Sequence, residues 1–222
     1  MIRREFRSQN RRRKGNTILE FALVMLFLFP LFIGTVNLGM NLTKTTQASQ
    51  ITRDAGHMYV RQVDFSLDAS KNIVVRLAQG LGMTLSGGKG VILLSKIMYI
   101  GTSECAAANL APASCPNYHK AVVIQRHTIG NTTMRTSDFA TPASSIILTG
   151  PDAVTGLKKG DIKPADYLTN ATVQSPKLLT LLPGMLEGET AYVSEGYFDT
   201  PSFTLNQSYT ATSKGTYTRS IY

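Results

Sequence analysis

The 222-residue chain has no tryptophan, only two cysteines and only three histidines. Two cysteines cannot form the dense framework of a small disulfide-stapled domain, nor a four-cysteine zinc site. Cys105 and Cys115 lie ten positions apart, and His119 is close by, but no second Cys/His cluster completes a metal set. The two cysteines fit a local disulfide if they face an oxidising compartment, where closing such a loop is worth about 3 kcal/mol. Two buried free thiols are the alternative. The sequence also lacks a G-x-S-x-G elbow, a Walker loop, an H-E-x-x-H pair and a dinucleotide fingerprint. The chain therefore reads as a non-enzyme that needs no cofactor and no metal. There is no internal repeat, and no heptad pattern long enough for a coiled-coil rod.

Charge is missing from one long stretch. No charged residue occurs from Phe21 to Thr43, and the core of that stretch is FALVMLFLFPLFIGTVNLGM (21–40). As a helix these residues span about 34 Å, against about 30 Å for a bilayer core. The run is too long for a cleaved secretory signal, and Gly39-Met40-Asn41 is a poor cleavage site. Arg3-Arg4 stands too far upstream for a twin-arginine signal. Pro30 falls mid-run and predicts a kink near Phe27–Pro30.

The net charge of +9 is unevenly spread. Residues 1–15 hold seven cations (Arg3, Arg4, Arg7, Arg11, Arg12, Arg13, Lys14) and one anion, Glu5, so the remainder carries only +3. A basic block abutting an apolar run places the N-terminus in the cytoplasm and exports the rest. The small charge of the remainder argues against a nucleic-acid partner, which needs clustered Lys and Arg.

Glu20 is a lone carboxylate at the mouth of the apolar run. Such acids are costly and usually have a task, although one at a helix N-terminus also complements the helix dipole by about 0.3–1 kcal/mol. If the chain is cut between Gly15 and Asn16, Glu20 becomes the fifth residue. A new α-amino group then lies one helical turn from it, able to neutralise a carboxylate of its own chain or of a neighbour.

A basic leader ending in Lys14-Gly15, four further residues, then Glu20-Phe21 and an apolar helix form the type IV prepilin pattern. The continuation TILEFALVMLFLFPLFIGTVNLG, followed by TQASQITRDAGHMYVRQVDFS, resembles the TadE-like family of minor pilins (pseudopilins) of the tight-adherence (Flp/Tad) pilus system. The firm part of the likeness covers residues 12–66. AYVSEGYFDT and YTRSIY are similar to that family's terminal strands, with less specificity.

The resemblance implies a leader removed by a prepilin peptidase at Lys14, Gly15 and Asn16. It implies that Glu20 and Phe21 serve processing or assembly. The implied partners are the peptidase, other pilins or pseudopilins, inner-membrane pilus-assembly proteins and membrane lipid. The implied location is the bacterial inner membrane, single-pass, with possible entry into the fibre. Two other readings stay open: an uncleaved single-pass protein whose exported domain binds a partner or scaffolds a secretion machine, and a pilin that binds DNA.

The expected organisation is a leader (1–15), a transmembrane and extended helix (16–64) and an exported α+β domain (65–222). Leu38, Leu42, Thr45, Ala48, Ile51, Ala55 and Met58 recur at helical steps and predict a packing stripe, with Arg53, Asp54, His57 and Arg61 off it. Asp64-Phe65-Ser66 predicts a bend. A second helix capped by Ser66 or Asp68 should follow, running through Ile73, Val74, Leu77 and Leu81 until the glycines from Gly80 onward break it. Residues 91–100, 120–129, 190–198 and 209–222 read as strands, the first two as antiparallel neighbours around the cysteine loop. His119 and His127 would then share one face of a strand, too far apart to share a metal. Residues 136–177, rich in Pro, Gly, Thr and Ser, read as long loops and a variable binding surface. A long N-terminal helix packed on an antiparallel sheet is the expected pilin-like α+β architecture.

Overall fold

The computed structural model describes residues 14–199, 204–206, 209–210 and 215–222. Residues 1–13 of the basic leader lie outside the described residues, as do 211–214 of the last expected strand. The chain divides into two compact units, Met1–Thr43 and Lys44–Tyr222. The second unit thus begins at Lys44 rather than at residue 65, and it includes the last four turns of helix α1 (Lys14–Val60).

Helix α1 passes through Pro30 as one element, so the kink expected near Phe27–Pro30 does not interrupt it. It ends in a Schellman motif with glutamine in the place glycine usually takes. Gln62 adopts φ 62°, its N–H donates to Tyr59 O at 2.9 Å, and the Val63 N–H donates to Met58 O at 3.1 Å. Met58 and Val63 pack against the same apolar cluster, the contact that normally accompanies this cap. The chain therefore leaves the helix before the expected bend at Asp64. Helix α2 (Asp68–Leu77) follows with Leu67 as its N-cap, a residue with no side-chain acceptor, so neither Ser66 nor Asp68 caps it; just before it the Asp64 carboxylate takes the Ser66 N–H at 2.9 Å in a local turn. Asp68 serves as the first-turn acid, complementing the dipole.

Four antiparallel strands form one sheet in the order β2-β1-β3-β6. Strands β1 (Gly90–Tyr99) and β2 (Ala121–Gly130) are the expected neighbours, with Val91 opposite Gly130 and Tyr99 opposite Ala121. Strand β3 (Thr190–Phe198) lies on the other side of β1, and β6 (Thr216–Ile221) lies beyond β3. The single strand expected over 209–222 is divided: β5 (Tyr209–Thr210) pairs antiparallel with β4 (Thr204–Asn206) in a separate two-stranded sheet, and Gly215 precedes β6. The molecule is thus α+β: a long apolar N-terminal helix and a four-stranded antiparallel sheet.

The sheet is covered on both faces, which explains why β1 carries the continuous apolar run Val91–Leu94, buried throughout, rather than an alternation. On one face Ala48, Ile51, Ala55 and Tyr59 of α1, with Val74 and Ala78, pack on Ile92, Leu94, Ile129 and Phe198. The observed stripe is displaced from the expected one. Thr45 is exposed and Met58 only half-buried, whereas Thr52 and Tyr59 are buried. Arg53, Asp54, His57 and Arg61 are exposed, as their position off the stripe requires.

The other face is covered by the chain between β1 and β3. Residues 136–177 are not structureless: they contain α4 (Pro164–Thr169), a 3-10 turn (Ala171–Val173) and the start of α5 (Pro176–Leu181). Pro164 and Pro176 open their helices at positions where the missing N–H costs nothing. The same prolines read as loop punctuation in the sequence. Isolated apolar side chains plug this face: Phe139, Ile162, Leu168, Val173 and Leu178 pack with Ile97, Val123, Ala191 and Val193.

Helix and sheet approach closely at Gly196. A Cβ there would lie 3.2 Å from Thr52 Cβ and closer still to its hydroxyl. That hydroxyl donates to Ala48 O at 2.8 Å and pairs with Thr218 Oγ1 at 2.7 Å, while Ser194 Oγ donates to Thr52 O at 2.7 Å. Gly196→Ala is expected to cost about 1–3 kcal/mol by overpacking, read as a lower denaturation midpoint of the full chain in detergent. Adding Thr52→Ala should restore part of the loss, and an unchanged midpoint in the single variant would contradict the close approach.

Candidate functional site

Within the first unit the described residues are helix alone, and none of its apolar window is buried. Leu23, Phe27 and Leu31 are 64%, 69% and 68% exposed, and Leu38 and Leu42 on the expected stripe are exposed as well. A continuous apolar surface of this extent marks a membrane or protein contact. The helix is long and apolar enough to cross a bilayer. Two hydroxyl side chains inside the run are satisfied by the helix itself: Thr35 Oγ1 donates to Phe32 O at 2.8 Å and Thr43 Oγ1 to Gly39 O at 2.9 Å.

Lys14, Gly15 and Asn16 are the first residues of α1. Glu20 and Phe21 follow on the same helix, both exposed. Asn16 and Glu20 are four residues apart on an unbroken helical backbone, so they share a face at about 6 Å of axial rise. The spacing that the sequence pattern requires is therefore held in one rigid element.

Cys105 and Cys115 are joined in a disulfide, with Cα atoms 6.0 Å apart and both residues buried. The bridge ties α3 (Thr102–Ala107) to the chain that leads into β2. The two histidines do not share a strand face. Strand β2 begins at Ala121, and His119 sits in the preceding turn at φ 54°, exposed and 2.6 Å from Glu187. His127 is buried on the α1 face, edge-on to Tyr59 at 5.9 Å.

A cavity of about 300 Å³ opens beside His127, lined among others by Tyr59, Asp64, Lys96, Gln125, Lys158 and Tyr192. Several of its polar groups are already engaged. Tyr59 OH donates to Gln125 Oε1 at 2.6 Å, Gln125 donates to the Asp161 carboxylate, and Lys158 pairs with Asp64 at 2.6 Å. Among the described residues no group of three or more His, Cys, Asp and Glu could hold a metal ion.

Burial, followed by the Lys71 charge, pushes the His127 imidazole down to about 4 from its ordinary 6.5. The unfolded chain takes up this proton near pH 6.5, the native state only near pH 4. The stability that neutral His127 contributes is thus complete above about pH 6.5 and lost as pH falls toward 4, by about 3 kcal/mol. Asp64, held down to about 2 chiefly by its hydrogen bond from Lys158, acts in a separate window below about pH 4. His127→Gln should flatten the stability profile between pH 6.5 and 4, measured by denaturation at stepped pH. An unchanged slope would assign that window to another group.

The opposite face holds two buried charges, Glu195 and Arg126, that stand out only weakly in the sequence. Glu195 is 1% exposed. Its carboxylate accepts from the Ser137 hydroxyl, from the Asp138 N–H at 2.9 Å and from Tyr217 OH at 2.8 Å. Arg126 is also buried, with Nη2 donating to Ala140 O at 3.1 Å and Nε without a partner. The two charges flank β1, Glu195 opposite Leu93 and Arg126 opposite Ser95. Burial lowers the Arg126 pKa and Glu195 opposes that shift. One signal was available: Ala191, Val193 and Glu195 fall on a single face by strand alternation. No family model, no curated protein and no solved structure matches the chain.

Proposed function

We propose that the chain is a TadE-like minor pilin, or pseudopilin, that takes part in assembling a Flp/Tad-type adhesive pilus. In this reading it is a single-pass protein of the bacterial inner membrane, cut after Gly15 by a prepilin peptidase, with the Lys44–Tyr222 unit exported. The observation that carries it is Glu20, five residues after Gly15 at the mouth of an apolar run none of which is buried. Pilin-like architecture is supported by the end of the same helix packing on an antiparallel sheet. The disulfide supports an exported domain, since such bonds persist in oxidising compartments.

A second reading has one observation in its favour. Lys14 to Asn16 are already helical, whereas a peptidase must take its substrate unwound; an uncleaved anchor needs no such opening. N-terminal sequencing of the protein from membranes of a host with a prepilin peptidase separates the two. A start at Asn16 is expected. A start at Met1 removes the processed-pilin reading and moves the function to the second unit as a partner-binding or scaffolding domain.

A further inference from the structure

A second cavity, of about 260 Å³, lies along the outer edge of β2. Its lining includes Arg126 and Thr128 of β2, Lys71 of α2, Ser144 and Thr149, and Lys159. Three of its side chains are cationic and none is a carboxylate. His127, which also lines it, is neutral above about pH 4 and adds no charge.

The lysines of this unit differ in their pairing. Lys158, Lys163 and Lys177 each hold a carboxylate within 3.0 Å. The two that line the cavity do not. Lys71 keeps only 12% of its side-chain exposure, yet its one carboxylate neighbour, Asp68, is 4.0 Å away and 62% exposed. Lys159 is half-buried and makes no ion pair among the described residues. Arg126, more than nine-tenths buried, leaves its Nε without a partner. Cations withdrawn from water without a counter-charge are unfavourable. Here the Lys71 ammonium is weakened first by burial and next by the charge of Lys159. The hydroxyls of Thr128, Ser144 and Thr149 add neutral donors.

The wall carrying Lys159 is fixed in place. Gly160 has φ 98°, and a Cβ there would strike the His127 ring. Its carbonyl accepts from the Arg126 N–H at 2.8 Å and its N–H donates to Leu148 O at 2.8 Å.

We propose that this cavity binds a compact oxyanion of the phosphate or sulfate class, which supplies the missing counter-charge to Lys71 and Lys159 and an acceptor for the unpartnered Arg126 Nε. The group is either a free or solute-borne ester or the headgroup of an anionic lipid; both present the same tetrahedral oxyanion. The inference does not depend on the pilin reading, since it uses only the Lys44–Tyr222 unit.

The test is thermal unfolding of the full chain in nanodiscs. In discs of phosphatidylcholine, inorganic phosphate is titrated at constant ionic strength against chloride. A parallel sample without phosphate replaces part of the lipid by phosphatidylglycerol. A saturable rise in Tm, on the order of 5–10 °C at a hundredfold excess over Kd, is expected with phosphate. Lys71→Met and Lys159→Met should each weaken the apparent affinity about tenfold or more, and the double variant should lose the rise. Lys120→Met, an exposed lysine outside the cavity lining, should keep it. A rise with phosphatidylglycerol alone, lost in the same variants, assigns the site to a lipid headgroup. If neither probe gives a saturable rise, or if the rise survives in the double variant while that variant still unfolds cooperatively, the site is overturned.

Discussion

Glu20→Ala is expected to leave the chain in the membrane and remove it from assembled filaments. Insertion depends on the apolar run from Phe21 onward, which the substitution leaves intact, and losing a carboxylate at its mouth lowers the cost of burial. Assembly depends on a different property. In the processed-pilin reading proposed above, cleavage after Gly15 would create an ammonium group at Asn16, four residues from position 20 on the same helix face. When that helix enters a bundle of like helices, the ammonium is withdrawn from water and needs an anion within reach. Removing one partner of a buried pair costs about 3–5 kcal/mol, which corresponds to roughly a hundredfold or more in equilibrium assembly. Fractionated membranes and sheared surface filaments, probed for the chain, separate the two properties. Glu20→Gln keeps the shape and loses the charge, so it should fail as Glu20→Ala does, while Glu20→Asp should retain part of the activity. Normal piliation in Glu20→Ala would remove the charge-pairing role even if the leader is cleaved. N-terminal sequencing of the same variant tells a processing defect from an assembly defect.

How much of this molecule was legible in its sequence depended on whether one residue's type settled its surroundings. The apolar helix and strands β1, β2 and β3 were legible because their signals are continuous: an uncharged run, or a dense apolar segment between turn residues. The packing stripe of α1 was displaced because polarity misled at two positions. Thr52 is buried because the Ala48 carbonyl and the Thr218 hydroxyl satisfy it, and Tyr59 because its phenol reaches Gln125. Residues 136–177 read as loops since each apolar plug stands alone among prolines and hydroxyl residues. What orders them is the sheet face beneath, which no local window contains. The edge bridges Gln125–Asp161 and Val122–Gln174 likewise join residues far apart in sequence. Strand β2 starts one residue later than expected, and His119 falls in the tight turn before it, which carries a positive φ at that histidine. The cationic cavity was invisible for a related reason: Lys71, Arg126 and Lys159 come from three separate segments and meet only through the fold.

Glu195→Ala is expected to give the largest loss of stability of any single substitution in the sheet. The carboxylate holds three donors, from Ser137, Asp138 and Tyr217, and it is the balancing charge for Arg126 across β1. Its removal leaves a buried guanidinium without its anion and three donors without their acceptor, at about 3–5 kcal/mol. Denaturation midpoints of the full chain measure the loss. A double-mutant cycle with Arg126→Met isolates the pair, and the double variant should recover a large part of the stability, because an apolar pair in that position carries no desolvation cost. A loss under about 1 kcal/mol in Glu195→Ala would show that Arg126 is balanced by another group. Tyr217 offers an independent check. Burial and the Glu195 charge both raise its phenol pKa, and the Arg135 guanidinium lies 4.0 Å over its ring. Without the carboxylate the raising effects of the Glu195 charge and hydrogen bond are lost, leaving burial and Asp138 against Arg135, so the phenol of Tyr217 should titrate at lower pH than in the native chain. That downward shift depends on the lost charge, whereas a simple cavity at position 195 would leave burial and Arg135 acting as before.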